Sequence, residues 1–243
     1  MIKNSGSRKL TVMTLVFGIA ALVLRWSLYA TAVDVKGLLV RNQPLSLALT
    51  VLTVGVLVRI ALAVRRGAEK NEEPYSADLP AAIGSVAAAA GILLTVQTST
   101  TAMGGPMESV WRSLGLAAAA CLLLAGIARL FGKKPFFLLH VVACLFFMVH
   151  IVTCYQRWSG NPQMQDYIFA LLGAMALMLF GFYTAAQEAG CGSVRMRRGT
   201  GLAAVYLCMA ELARSSCFAL YLGGILWVLT DLSQRKHVSS EKT

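Results

Sequence analysis

Eight apolar stretches, most of them close to twenty residues long, follow one another along this chain with only short polar connections between them. A bilayer core about 30 Å thick is crossed by roughly 20 residues of α-helix. Inside it, every backbone N–H and C=O must find its partner within the protein, which restricts spanning segments to helices or closed barrels. The expected fold is therefore all-α, a polytopic transmembrane helical bundle. The expected spans are Leu10–Thr31, Pro44–Val64, Pro80–Thr98, Met107–Phe131, Pro135–Tyr155, Gln163–Ala186, Thr200–Leu212 and Ser216–Leu232.

Composition agrees: 57% of the 243 residues are hydrophobic and 14% charged, against about 45–50% and about 25% in a soluble domain. No connection is long enough to fold alone; the longest, near Arg65–Leu79, has about fifteen residues. One membrane domain over residues 1–243 is the expectation. Prolines punctuate it: Pro44, Pro80, Pro106, Pro135 and Pro162 fall at or just before a span, Pro74 lies in the polar loop, and none interrupts a span. A proline suits a first turn because its missing N–H would have no helical partner there.

Thr200–Leu232 is too long for one straight span and short for two. Glu211 and Arg214 sit in its middle, where charges at the bilayer centre would be costly. A tight turn over Glu211–Ser216 resolves this into two short helices with both charges at an interface. Charge counting favours the same choice. With eight spans and the N-terminus inside, the cytoplasmic side receives fifteen basic residues: Lys3, Arg8, Lys9, Arg65, Arg66, Lys70, Arg129, Lys133, Lys134, Arg195, Arg197, Arg198, Arg235, Lys236 and Lys242. The outside receives five, Lys36, Arg41, Arg112, Arg157 and Arg214, while Arg25 and Arg59 stay within spans. By the positive-inside rule both termini are cytoplasmic. Ala30-Thr31-Ala32 has the spacing of a signal-peptidase site, but Arg25, Trp26 and Tyr29 make a poor cleavage region, so the first helix is expected to be retained.

The net charge of +11 is thus a matter of topology, and no nucleic-acid partner is implied. The Lys133–Lys134 and Arg195–Arg198 clusters are read as orientation signals before lipid-headgroup sites. The six cysteines form no C-x-x-C pair and are read as small hydrophobes; no metal site, cofactor or nucleotide-binding loop is indicated. Gly84, Ala88, Gly91 and Thr95 share one face of the third span, a pattern that permits close helix packing.

Ionisable groups at membrane depth are functional-site hypotheses by default. Arg59 can snorkel, and Glu188 and Asp231, near cytoplasmic helix ends, are expected to be solvated at the interface. His140 and His150 have no acid near them in sequence and read as core histidines, His150 with a further role as a proton-coupled group. The outer helix ends hold the more suggestive collection: Arg25, Asp34, His150, Tyr155, Arg157, Asp166 and Glu211 fall at one level. Arg25 and Arg157 would attract an anionic group, with Asp34, Asp166 or Glu211 holding the arginines by charge-assisted hydrogen bonds. Arg25-Trp26-Ser27 followed by Asp34 echoes Arg157-Trp158-Ser159 followed by Asp166, at equal spacing. This points to a 4+4 parallel repeat of the kind found in transporters.

The stretches Asp34–Ser46 and Tyr155–Tyr167 resemble uncharacterised polytopic membrane proteins of Gram-positive anaerobic bacteria. The resemblance spans two loops and their flanking helices and implies a bacterial plasma membrane; it implies no activity. The leading functional expectation is a transporter-like or small-ligand-binding protein with a polar site near the outer leaflet. Its expected partners are the lipid bilayer and a small anionic ligand. A non-catalytic scaffold or regulatory subunit, binding a membrane-protein partner or a second copy of itself, is the alternative. An intramembrane enzyme comes third, with no catalytic residues to name.

Overall fold

The computed structural model describes residues 5–31, 44–66, 79–98, 106–158, 167–213 and 217–233. They form eight helices: α1 (Ser5–Thr31), α2 (Pro44–Arg66), α3 (Leu79–Thr98), α4 (Pro106–Leu130), α5 (Phe137–Trp158), α6 (Ile168–Glu188), α7 (Val194–Glu211) and α8 (Phe218–Leu232). Among the described residues there is no strand. Six of the helices, α1 to α6, are long and apolar enough to cross a membrane, and the whole is a helical membrane bundle.

Local chemistry sets the ends. Pro44, Pro80 and Pro106 lie in the first turns of α2, α3 and α4, where no helical hydrogen bond is lost. Gly132 closes α4 at φ +65°, and its neighbour Lys133 donates back to Ala128 O at 2.9 Å; a side chain would strain that left-handed conformation. The long Thr200–Leu232 stretch does divide, with α7 ending at Glu211 and α8 beginning at Phe218. Of the turn between them, residues 214–216 lie outside the described residues, as do Asp34, Asp166 and the C-terminal tail.

Helix α7 begins at Val194 rather than at Thr200 and so takes in Arg195, Arg197 and Arg198. Hydropathy alone places the start later because it counts those arginines as loop. The packing explains the difference. Helices α3 to α8 form a closed ring in chain order, with α8 returning to lie along α3. Helices α1 and α2 pair with each other and lean on α7 from outside. Helix α7 is therefore surrounded by α1, α2, α6 and α8, and a helix shielded from lipid need not be apolar all round. By contrast, Val12, Val16, Ile19 and Val23 of α1 and Leu47, Val51, Val54 and Val58 of α2 are exposed, as a lipid-facing stripe should be.

The ring is filled by Phe146, Leu177, Phe180, Tyr206, Tyr221 and Trp227, each at most 2% exposed. The small-residue face of α3 is spent inside the chain. Gly84, Ala88, Gly91 and Thr95 are all buried, and Gly84 and Gly91 face α8. A Cβ on Gly91 would run into the carbonyl oxygen of Ala219, and one on Gly223 would sit 2.6 Å from that of Ala87. Gly223 is thus a close-approach point between α3 and α8. Buried hydroxyls of Thr53, Ser85, Thr95 and Thr184 donate to carbonyls one turn back in their own helices, at 2.7 to 3.0 Å, so they add no demand on their surroundings.

Candidate functional site

The alternating helix directions bring the ends of α1, α5 and α7 together with the starts of α4, α6 and α8. This is the Glu211 end of the bundle. The opposite, Asp231 end collects the ends of α4, α6 and α8 with the starts of α5 and α7. Charged side chains are buried at both ends, and α7 carries one member of each group, Glu211 and Arg197, about 21 Å apart along its axis at about 1.5 Å per residue.

At the Glu211 end, Arg25 of α1 is 3% exposed and Glu211 is 5% exposed. One guanidinium nitrogen, Nη1, pairs with Glu211 Oε2 and also donates to Ala210 O at 3.1 Å. The other, Nη2, lies 3.4 Å from the Tyr29 hydroxyl. The guanidinium carbon sits 4.9 Å from the ring centre of Phe169 on α6 and 5.6 Å from that of Tyr29. The C-terminus of α7 is where a cation belongs, since the helix dipole and the unpaired last carbonyls are negative there. Arg25 therefore joins α1 to α7 and α6 through one planar group.

Around Glu211 stand further groups from other helices. Cys154 of α5 is partly buried and Tyr221 of α8 is buried at this end of the bundle. The Tyr221 hydroxyl donates to Ala170 O at 3.0 Å. His150 is 2% exposed and accepts at Nδ1 from Trp111 Nε1, 3.2 Å away. Because an indole N–H can only donate, the ring proton of neutral His150 sits on Nε2, 3.6 Å from Cys154 Sγ. Trp111 and Phe146 stack on the same imidazole at 6.1 and 5.8 Å. His150 is a satisfied core histidine, held by Trp111, Phe146 and Cys154.

The structure thus brings Arg25 and Glu211 together, with His150 buried on α5 at the same end. Tyr155 and Arg157 lie on the exposed face of α5, Tyr155 at 52%. Of the three acids expected to hold the arginines, Glu211 is the one that pairs with Arg25 among the described residues.

The Asp231 end holds what sequence reasoning missed. Arg129 Nη1 and Arg197 Nη1 each lie 2.7 Å from a different oxygen of Asp231. Arg129 Nη2 is also 3.6 Å from Glu188 Oε1, and Glu188 Oε2 is 2.8 Å from His140 Nδ1. The imidazole of His140 stacks on Trp227 at 5.9 Å with 14° between the planes. All five ionisable groups are at most 6% exposed, and they come from five consecutive helices, α4 to α8. Two guanidiniums and two carboxylates cancel in formal charge, which is the condition for burying them together. Solvation at the interface is therefore not what accommodates Glu188 and Asp231. His140, with no acid near it in sequence, has Glu188 beside it in space. His140 Nε2 and Trp227 Nε1 are buried without a hydrogen-bond partner. The sequence did carry a signal: Glu188 and Asp231 are the acids within helices at an end otherwise crowded with arginine and lysine.

Among the described residues, no cluster of His, Cys, Asp and Glu is arranged to hold a metal ion, and the six cysteines are free thiols. No protein-family model, curated protein or solved structure matches the chain.

Proposed function

We propose that this chain is a bacterial plasma-membrane protein, crossing the bilayer eight times with both termini in the cytoplasm. In this reading it binds a small organic or inorganic anion at the Glu211 end in a transporter-like role. The observation that carries the reading is the buried Arg25–Glu211 pair, whose guanidinium also meets Ala210 O and the rings of Tyr29 and Phe169. Ion pairs at membrane depth are costly to maintain for packing alone, since apolar residues of similar volume fill such space as well or better. The arrangement is the closed form of an exchange site: an anion entering from the outer face takes Glu211's place on Arg25. The basic residues at the opposite end, Arg65, Arg66, Lys133, Lys134, Arg195 and Arg198, support a cytoplasmic Asp231 end.

The test is thermal unfolding of the purified chain in a mild detergent with millimolar acetate, succinate, glutamate, phosphate or sulfate, against chloride at equal ionic strength. A ligand that binds only the folded state raises Tm. At least one of these anions is expected to do so, less in Arg25→Lys and more in Glu211→Gln, where the internal competitor is gone. No response to any of the five, or equal responses in all three proteins, would overturn the reading.

A further inference from the structure

The turn between α4 and α5 has an exterior that neither the bundle nor the Arg25–Glu211 site uses. Gly132 reverses the chain at φ +65° and Pro135 is buried beneath the turn. Around that fixed point, Phe131, Lys133, Lys134 and Phe136 all face outward, the two phenylalanines at 75% and 60% exposure. Phe136 is braced by Phe137, ring centres 4.9 Å apart, and exposed Leu130 and Leu138 continue the apolar surface into the flanking helices. Largely exposed phenylalanines on a connecting turn are unfavourable in water and favourable at the boundary between headgroups and acyl chains.

The charge balance is equally directed. Neither lysine has a carboxylate within ion-pair distance among the described residues. Among the described residues, the acids at this end, Glu188 and Asp231, are turned inward and held by Arg129, Arg197 and His140. The interior network thus keeps these two carboxylates away from the turn. What the turn presents outward is a pair of ammonium groups flanked by a pair of exposed aromatic rings.

We propose that the Phe131–Phe136 turn is a binding site for anionic phospholipid, with Lys133 and Lys134 on the headgroup phosphate and Phe131 and Phe136 lodged beside the acyl chains. The occupant is a lipid and not free phosphate, because the aromatic pair has no role toward a soluble ion. The proposal rests on the membrane reading of the chain and is independent of any ligand at Arg25.

Native mass spectrometry of the full chain released from detergent, with phosphatidylglycerol or phosphatidylcholine titrated in, tests it. The wild type is expected to retain phosphatidylglycerol over phosphatidylcholine. Lys133→Gln with Lys134→Gln is expected to weaken that preference about thirtyfold, from about 1 kcal/mol for each lysine at an anionic surface. Phe131→Ser with Phe136→Ser weakens binding of both lipids with the charge unchanged. Arg65→Gln with Arg66→Gln, which removes the same charge from α2 at the same end, leaves the preference intact. Equal loss in the α2 variant would reduce the effect to diffuse charge, and an unchanged lysine variant would remove the site. Displacement of the lipid by inorganic phosphate alone would overturn the assignment of the occupant. All variants lie on exposed positions, and retention of the wild-type elution volume and helical circular dichroism confirms that they fold.

Discussion

Arg129 of α4 and Asp231 of α8, 102 positions apart in sequence, meet at 2.7 Å in the interior of the Asp231 end. Arg197 of α7 takes the other oxygen of the same carboxylate. One aspartate therefore holds three helices, and its neighbours Glu188 and His140 add α6 and α5.

That dependence gives a ranking. Asp231→Asn leaves two guanidiniums facing each other in a buried space and is expected to cost about 3–5 kcal/mol, the usual effect of removing one partner of a buried pair. Arg197→Gln should cost less, because Arg129 still neutralises Asp231. Reversible unfolding in mixed micelles of mild detergent and dodecyl sulfate measures both. Equal, small losses would show that water reaches this end.

Arg25 and Glu211 should behave as a unit. Arg25→Met or Glu211→Met alone strands a charge, while the double variant removes both. The double variant is expected to be markedly more stable than the sum of the singles, with a coupling energy toward the upper end of about 0.5–3 kcal/mol. A double-mutant cycle in the same unfolding assay reads this out, and additive effects would mean the two side chains are not paired.

How much of this was legible in the sequence follows from what lipid demands. The apolar runs, the proline punctuation and the division of Thr200–Leu232 all report the cost of exposing a polar backbone to hydrocarbon, and all were readable. So was the small-residue face of α3, which packs on α8. The Asp231 end was not, because Arg129, His140, Glu188, Arg197 and Asp231 lie on five helices and each, taken singly, looks like an ordinary helix-end residue. Hydropathy also placed the start of α7 too late, since it cannot register that Arg197 has a buried partner. The sequence offers Asp34, Asp166 and Glu211 alike as partners for Arg25, and only the packing of α1 on α7 selects Glu211, 186 positions away.

The α3–α8 contact predicts opposite signs for similar changes. Gly91→Ala and Gly223→Ala each set a methyl group against backbone of the facing helix, which cannot yield as a side chain can. Each is expected to cost about 1–3 kcal/mol. Gly55→Ala on α2 meets nothing within 4 Å and should instead stabilise by up to about 1 kcal/mol through helix propensity. Thermal unfolding of the three variants separates the cases; destabilisation by Gly55→Ala would point to an unrecognised contact on α2.

The central claim is that the two buried charge groups belong to opposite faces of one membrane, linked by α7. Labelling with a membrane-impermeant maleimide tests it most directly. Cys191, exposed between α6 and α7, marks the Asp231 end, and Met107→Cys at the start of α4, where the native side chain is 38% exposed, marks the Glu211 end. Each is the sole cysteine in a chain whose other cysteines are alanine. In intact cells the Met107→Cys protein should label at once, and the Cys191 protein only after the membrane is permeabilised. Labelling of both from the same side would contradict the account.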